Sequence, residues 1–406
     1  MRLLILSFYY PPDLSAGSFR CEALVNALKE NMPEGLQVDI VTTRPNRYQS
    51  LIIDAPDYEE QGSFTICRIP MPSHQSGMAD QSRAFLSYAR GVLSAIKGRK
   101  YDAVYGTSSR LMTAVLAAKA ARNSGAPLYL DIRDLFVDTM GDVLGTSPLR
   151  FLLPAFGMLE RQTFAQAARI NIVSQGFAGD LRQAAPNAEL RAFTNGIDTA
   201  FLDQDYSKPT DKDGPVILYA GNIGEGQGLH RVIPEAASLV AGKARFHIVG
   251  DGGKLDDLRS AIEPVQDSVT LKPPVPRSEM VDLYRNADML LIHLNDHAAF
   301  HKVLPSKLFE YAATGKPILA GVAGISAEFL RSEVPGSFVF DPCDAKAMAR
   351  AIEEARALPQ PVDRCAFLAK YKRSNIMTEM AQDLVDFVEE ASSAQKTLQH
   401  RGKIPQ

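Results

Sequence analysis

Short apolar runs alternate with amphipathic segments along most of this chain. In the first half the apolar runs are rich in Val, Ile and Leu and end at turn residues, as buried strands do. Between most of them apolar positions recur every three or four residues, as in "FRCEALVNALKE" and "LMTAVLAAKAARNSG", which is typical of helices. Alternating strands and helices predict a parallel sheet covered on both faces. The predicted strands of this half are "RLLILSF", "QVDIVTT", "FTICRIP", "YDAVYGT", "PLYLDIR" and "RINIVSQ".

A polar stretch, "FLDQDYSKPTDKDG", interrupts the pattern at residues 201–214 and predicts a linker between two domains. We therefore expect Rossmann-like α/β domains at 1–200 and 215–360, and C-terminal helices at 361–406 that could pack back on the first domain. Two such doubly wound domains leave a cleft where the carboxyl ends of their strands face each other, and ligands bind there in these folds. The strands predicted in the second domain are "PVILYAG", "ARFHIVG", "SVTLKPP", "DMLLIHL", "KPILAG" and "SFVFDP".

Composition narrows the class of protein. The chain has 406 residues, with 44 Lys and Arg against 47 Asp and Glu, and this balance argues against a nucleic-acid partner. The four cysteines (Cys21, Cys67, Cys343 and Cys365) are far apart, which favours a reducing compartment and argues against a zinc site. No apolar run is long enough to span a bilayer. We expect a cytoplasmic protein that contacts a membrane only at its surface.

Glycine-rich turns between strand and helix are the first candidates for anion binding. Glycine lets backbone N–H groups approach a phosphate closely. None of the turns has the strict dinucleotide-binding spacing, so ordinary tight turns remain the alternative for each one. They are "FYYPPDLSAGSFR", with Gly17 and Arg20, "YAGNIGEGQGL", with Gly221 and Gly224, and "IVGDGGKL", with Gly250 and Gly252.

The segment "LPSKLFEYAATGKPIL", at residues 304–319, predicts a short helix. Pro305 and Ser306 are typical helix-entry residues, and Gly315 is a common residue just after a helix end. Lys307 and Glu310 are three residues apart and share one face. The segment alone leaves open whether they form a surface ion pair or part of a binding site.

Taken in order, these motifs resemble those of the family 4 (group 1) glycosyltransferases, which have the GT-B fold. Within that family the chain looks most similar to bacterial surface-polysaccharide enzymes such as the fucosamine transferases. The resemblance covers nearly the whole chain and implies two Rossmann-like domains facing across a cleft. It is carried by "YYPPDLSAGSFR", "LYLDIRDLF", "TNGIDTAF", "ILYAGNIGEGQGL", "HIVGDGG" and "LPSKLFEYAATGKPIL".

The resemblance implies a nucleotide-sugar donor in the second domain, with UDP the expected nucleotide and neither a cofactor nor a metal. Glu310 would bind the ribose hydroxyls, and Lys307 would face the diphosphate and stabilise it as it leaves. The proline-rich loop "KPPVPRSEM" could pair with a uracil edge around Val275, or be an ordinary stiff loop. The full set of expected donor contacts is Gly221, Asn222, Gly224, Gln227, Gly250, Gly252, Val275, Lys302, Leu304, Ser306, Lys307 and Glu310.

Three positions depart from the family pattern. A second glutamate is usual eight residues before Glu310, where this chain has Lys302, and Asn222 and Gln227 stand where Arg and Lys are frequent. These changes indicate either a subfamily variation or a decayed site. A non-catalytic nucleotide-sugar-binding protein and a nucleotide-sugar epimerase on the same fold are therefore the alternatives to a transferase.

The acceptor is expected on the first domain. "DIRDLF" places Asp131, Arg133 and Asp134 at the carboxyl end of a strand. The resemblance implies Asp134 as the acceptor-side base or orienting group, with Gly17, Arg20 and Arg133 as further acceptor contacts. A structural Asp–Arg pair is the alternative. Family members generally retain the anomeric configuration and act on lipid-linked oligosaccharides of lipopolysaccharide, capsule or exopolysaccharide.

Three further patterns are weighed against simpler explanations. His293, His297 and His301 have helical spacing that suits a metal, but His293 ends a predicted strand, which breaks the register and favours donor-sugar contacts or solvation instead. Asp203–Asp205 and Asp211–Asp213 imitate Asp-x-Asp metal motifs, yet both are in the predicted linker. "RAFLSYARGVLSAIKGRK" mixes apolar and basic residues, so it predicts either an interfacial helix or a packed helix with a basic edge.

Overall fold

The computed structural model describes residues 1–13, 15–46, 54–71, 78–108, 110–144, 148–207 and 214–401. Side chains are described at the same positions except 78–82, 142–144, 148–149 and 398–401.

The first domain is built on an eight-stranded sheet in the order β3-β4-β2-β1-β5-β6-β7-β8. Only the β3–β4 pair is antiparallel. Its strands are β1 Arg2–Leu6, β2 Gln37–Thr43, β3 Tyr58–Gln61, β4 Phe64–Ile69, β5 Ala103–Thr107, β6 Leu128–Ile132, β7 Arg169–Ile172 and β8 Glu189–Arg191. Its helices are α1 Ala16–Asn31, α2 Met78–Ala95, α3 Leu111–Ser124, α4 Phe136–Leu144, α5 Leu153–Phe164 and α6 Ala178–Ala184.

The second domain has a six-stranded, fully parallel sheet in the order β11-β10-β9-β12-β13-β14. Its strands are β9 Val216–Asn222, β10 Arg245–Asp251, β11 Val269–Lys272, β12 Met289–His293, β13 Ile318–Gly321 and β14 Ser337–Phe340. The remaining helices are α7 Leu229–Leu239, α8 Leu255–Ala261, α9 Met280–Arg285, α10 Ser306–Ala312, α11 Gly324–Glu333, α12 Ala345–Arg356, α13 Cys365–Lys370 and α14 Arg373–Arg401.

Both sheets are buried on both faces, which confirms the predicted α/β architecture of two doubly wound domains. In β1, Leu3 and Ile5 pack in one hydrophobic cluster while Leu4 and Leu6 pack in another, because successive side chains of a strand point to opposite faces. All twelve predicted strands are present. The strands β3 and β8 were not predicted, because they are short edge strands without an apolar run.

The last helix returns to the first domain. Met377, Met380 and Leu384 of α14 are buried in the same cluster as Leu3 and Ile5 of β1. Asp383 accepts hydrogen bonds from Tyr129 (2.8 Å), Arg169 (3.2 Å) and Arg191 (2.8 Å) of the first domain. The chain therefore crosses between the domains twice.

The two crossing segments lie side by side. The Ile197 N–H donates to Tyr371 O (2.7 Å), and the Arg373 N–H donates to Ile197 O (2.8 Å). The buried Arg373 guanidinium donates to Asn195 O (3.0 Å), Gly196 O (3.2 Å) and Asp198 Oδ2 (2.6 Å). These contacts fix the connection between the domains at one point beside the cleft.

The helix α2 packs against the first sheet. Ala84, Tyr88, Val92 and Ile96 of this segment are buried, whereas Arg83, Arg90, Lys97 and Lys100 are exposed. This pattern is that of a packed amphipathic helix with a basic edge. No helix in the described part of the chain is long and apolar enough to cross a membrane.

Candidate donor site

A cavity of about 390 Å³ opens between the two domains at the carboxyl ends of β9, β10 and β12. The first domain contributes Ser15, Ala16 and Phe19 at the start of α1, Arg373 comes from the start of α14, and the second domain supplies the rest of the lining. Eight of the predicted donor contacts line this cavity: Gly221, Asn222, Gln227, Gly250, Val275, Ser306, Lys307 and Glu310.

Lys307 and Glu310 form an ion pair that also faces the cavity. Lys307 Nζ lies 3.2 Å from Glu310 Oε2, and the Tyr284 hydroxyl donates to the same oxygen at 2.8 Å. Lys307 Nζ in turn donates to the Tyr284 hydroxyl at 3.0 Å. The Glu310 side chain is 14% exposed, so it is held in place yet open to the cavity. Both contacts fall on Oε2, and none of the described residues bonds to Glu310 Oε1, which is therefore available for hydroxyl donors of a ligand.

The buried Tyr284 holds the Glu310 carboxylate in place. Its ring stacks on Phe201 (centroids 5.4 Å apart) and meets the edge of Tyr311 (5.3 Å). Burial, and then the Glu310 charge, raise the pKa of Tyr284 well above its usual value, so its hydroxyl remains a donor at neutral pH. Sequence reasoning missed Tyr284 because no local pattern connects it with Glu310.

The loop after β9 closes on itself through side-chain amides. Asn222 Nδ2 donates to Gln227 Oε1 (2.8 Å), and the Gly224 N–H donates to the same oxygen (3.2 Å). Glycine at 250 is required here because a Cβ on it would lie 1.8 Å from Gly221 O. The loop therefore presents neutral side-chain amides and closely packed backbone to the cavity, at positions where the resemblance implies that Arg and Lys are frequent.

The buried His293 holds the loop after β9 in place. Its Nδ1 lies 2.6 Å from Gln227 O, and its Nε2 accepts from the Cys343 N–H at 2.9 Å. Since a carbonyl can only accept, the proton is on Nδ1. Burial lowers the pKa of His293 to about 4, so the ring is neutral at physiological pH. His293 indeed ends β12, and among the described residues no His, Cys, Asp or Glu group is arranged to hold a metal ion.

Four predicted donor contacts do not line the cavity. Leu304 is buried in the hydrophobic core of the second domain, whereas Gly224 and Gly252 are half-buried outside the cavity lining. Lys302 is the largest correction. Its Nζ contacts Asp138 Oδ2 (2.7 Å) and Asp180 Oδ2 (2.9 Å) of the first domain instead of facing the donor cavity.

On the acceptor side, Arg20 also needs correction. It is 3% exposed and forms a two-pronged ion pair with Asp131 at 2.9 and 3.1 Å. It also donates to the carbonyl oxygens of Phe193 (2.8 Å) and Thr194 (2.7 Å). Arg20 thus joins β6 to the segment after β8, and the contacts described for it are all within the protein and hold the first domain together.

Arg133 and Asp134 follow β6 at the carboxyl edge of the first sheet. Asp134 is accessible to solvent, but the surrounding protein removes much of its hydration and raises its pKa to about 6, while Arg133 acts in the opposite direction. A carboxyl group with such a pKa can exchange a proton near neutral pH.

Gly17, the remaining predicted acceptor contact, is half-buried and follows Ala16, which lines the cavity.

The Asp-x-Asp imitation at Asp203–Asp205 forms no metal site in the described part of the chain. Asp203 is exposed, and Asp205 Oδ1 accepts from the Ser207 N–H at 2.9 Å in a local turn. Asp211–Asp213 lie outside the described residues.

Comparison with known proteins agrees with this architecture. The "Glycosyl transferases group 1" family matches residues 202–374, and the "Glycosyl transferase 4-like domain" family matches residues 19–196. Over 385 residues the chain is 26% identical to a protein named as a colanic acid biosynthesis glycosyl transferase, WcaI of Escherichia coli (strain K12). That alignment covers 89% of this chain and 93% of WcaI.

Solved structures share the fold. HepE of Anabaena in complex with UDP and glucose superimposes with a TM-score of 0.66 at 16% identity, covering 95% of this chain and 100% of HepE. WaaG, a glycosyltransferase involved in lipopolysaccharide biosynthesis, gives 0.63 at 16% identity, covering 97% of this chain and 99% of WaaG. At these identities the likeness shows the fold alone. The two family matches together span both domains, and this chain belongs to the group 1, family 4 glycosyltransferases, with the GT-B fold.

Proposed function

We propose that the interdomain cavity binds a nucleotide-sugar donor, with UDP as the nucleotide. The observation that supports this most strongly is Glu310, whose carboxylate is fixed by Tyr284 and Lys307 at the cavity wall with one oxygen available. A carboxylate in this state can accept hydrogen bonds from both ribose hydroxyls. HepE, which shares the fold, has been solved with UDP and glucose.

The chemistry proposed for the site is metal-independent transfer with retention of configuration. Lys307 lies beside Glu310, where it would stabilise the negative charge that develops on the leaving diphosphate. Backbone N–H groups of the loop after β9 would supply further donors. Asp134, with its raised pKa, would orient or deprotonate the acceptor hydroxyl.

The acceptor that we propose is a lipid-linked oligosaccharide of a bacterial surface polysaccharide, and the donor sugar is an N-acetylated aminosugar. The support is that WcaI and WaaG are named for colanic acid and lipopolysaccharide biosynthesis. An enzyme that uses such an acceptor would act at the cytoplasmic face of a membrane. On the first domain Phe151 is 74% and Met158 is 56% exposed, and such side chains suit a peripheral membrane contact.

The test is the substitution Glu310→Ala, measured by nucleotide calorimetry and by transfer from UDP-sugars to a lipid-linked acceptor. Loss of hydrogen bonds to a charged group amounts to about 1.5–3 kcal/mol, so the nucleotide Kd should rise at least about tenfold. Glu353→Ala is the matched control, because Glu353 pairs with Arg356 at the same i, i+3 spacing on the surface of α12.

Unchanged binding and transfer in Glu310→Ala would contradict the assignment. Two outcomes favour the alternatives to a transferase. Conversion of the donor without any acceptor would indicate an epimerase. Tight binding without turnover would indicate a non-catalytic protein, as the self-satisfied amides Asn222 and Gln227 would allow.

A further inference from the structure

Lys302 bridges the two domains at the segment that leads into the donor helix. It ends a 3-10 turn, Ala298–Lys302, between β12 and α10 in the second domain. Both carboxylates that it contacts belong to the first domain: Asp138 is in the first turn of α4, and Asp180 is in the first turn of α6. One ammonium group therefore ties two first-domain helices to the second domain.

The backbone around Lys302 is held by the first domain as well. The Ser174 hydroxyl donates to Lys302 O at 2.6 Å. Gly176 lies so close that a Cβ on it would come within 2.4 Å of the same oxygen. The next residue, Val303, packs against hydrophobic clusters of both domains, and its carbonyl accepts from the Ser326 hydroxyl at 2.6 Å. The segment is thus fixed from both sides of the cleft.

This fixed point is immediately before the donor-binding residues. Pro305 precedes α10, and Ser306, Lys307 and Glu310 line the cavity. We propose that Lys302 is a positioning residue that couples the closed arrangement of the two domains to the placement of Lys307 and Glu310. The consequences for donor binding rest on the proposed function, whereas the interdomain contact does not.

The bridge between Lys302, Asp138 and Asp180 is partly accessible to solvent. The three charged side chains are 31%, 41% and 44% exposed, so water and salt reach them. Although partial burial alone would lower it, the two carboxylates raise the pKa of Lys302, which keeps the ammonium charged at neutral pH. Exposed pairs of this kind change an equilibrium only a few-fold each, so two together should shift domain closure by about tenfold. Added salt should weaken the bridge.

Two roles of Lys302 can be separated by substitution. If Lys302 acts through its carboxylates, Lys302→Gln and the double variant Asp138→Asn, Asp180→Asn should each raise the Kd for UDP by up to about tenfold, because fewer molecules are in the competent closed state. At saturating donor kcat should change little, since the ligand itself favours closure. If Lys302 instead contacts the donor phosphates, the double Asn variant would bind UDP as well as or better than the wild type, and that result overturns the proposal.

Charge reversal sharpens the test. Lys302→Glu should bind UDP more weakly than Lys302→Gln, and adding Asp138→Lys and Asp180→Lys should restore the wild-type Kd because the bridge re-forms with opposite signs. A triple variant as weak as Lys302→Glu would overturn the proposal. Lys370→Gln is the matched control, since Lys370 forms a similar exposed bridge to Glu333 (2.8 Å) within the second domain.

Small-angle X-ray scattering without nucleotide keeps this test independent of the proposed function. Lys302→Glu should have a larger radius of gyration than the wild type, and the triple variant should return to the wild-type value. Equal radii for wild type and Lys302→Glu would contradict the bridge. A wild type that binds no nucleotide sugar would instead contradict the proposed function and leave the scattering comparison decisive for Lys302. Thermal unfolding of every variant checks that each one is folded.

Discussion

Removal of a single hydroxyl, in Tyr284→Phe, tests how the Glu310 carboxylate is held. The hydroxyl donates to Glu310 Oε2 at 2.8 Å and accepts from Lys307 Nζ at 3.0 Å. The ring itself should keep its place, because its contacts with Phe201 and Tyr311 do not involve the oxygen. The variant therefore changes the support of the carboxylate and little else.

The size of the effect follows from these contacts. A hydrogen bond to a charged group contributes about 1.5–3 kcal/mol. Glu310 keeps Lys307 at 3.2 Å and is 14% exposed, so water can replace part of the loss. Because this hydrogen bond is present with and without UDP, only part of its loss appears in binding. We therefore take the lower end of that range as the upper limit, which corresponds to a rise of up to about tenfold in the Kd for UDP.

The assay is isothermal titration of UDP into wild type, Tyr284→Phe and a control, Tyr206→Phe. Tyr206 is also buried, and its hydroxyl donates to Phe201 O at 3.2 Å without contacting Glu310. The control should lose about 0.5–1.5 kcal/mol of stability and keep its UDP affinity. A wild-type Kd in Tyr284→Phe, or equal weakening in both variants, would refute the reasoning.

Three further substitutions test other parts of the structure. Arg20→Met should lower the free energy of unfolding by about 3–5 kcal/mol in urea denaturation, because it leaves Asp131 charged and buried, whereas the exposed Arg122→Met should change it little. Glu160→Gln should stabilise the fold at pH 8, by up to about 3 kcal/mol. Burial raises the pKa of Glu160 in the folded protein to about 7, whereas it is near 4.5 in the unfolded chain. As the pH rises above 4.5 the wild type therefore loses stability that Glu160→Gln keeps. Below pH 4.5 the stability difference between the two should vanish. The transfer rate should rise with pH through about 6 as Asp134 ionises, and this limb should be absent in Asp134→Asn; a rate independent of pH in the wild type would exclude Asp134 as the base.

The sequence predicted those features that depend on residues close together in the chain. Twelve of the fourteen described strands were found because buried parallel strands are short, continuous apolar runs, and α10 was found from its entry and exit residues. The pairing of Lys307 with Glu310 follows from helical spacing alone. That the pair faces a cavity depends on the packing of both domains.

The sequence did not predict contacts between distant segments. Lys302 meets Asp138 across 164 positions, and Arg20 meets Asp131 across 111, so no local pattern indicates either partner. A charged residue near a glycine-rich turn looks the same in sequence whether it is buried or exposed. Arg20 was therefore assigned to the acceptor although it joins the first sheet to its own connecting segment.

The most direct test of the central claim is a crystal structure of the protein with UDP. The account predicts the ribose hydroxyls within hydrogen-bond distance of the Glu310 carboxylate and the diphosphate beside Lys307. Nucleotide bound away from the cavity between the domains, or bound there with Glu310 turned away from the ribose, would contradict it.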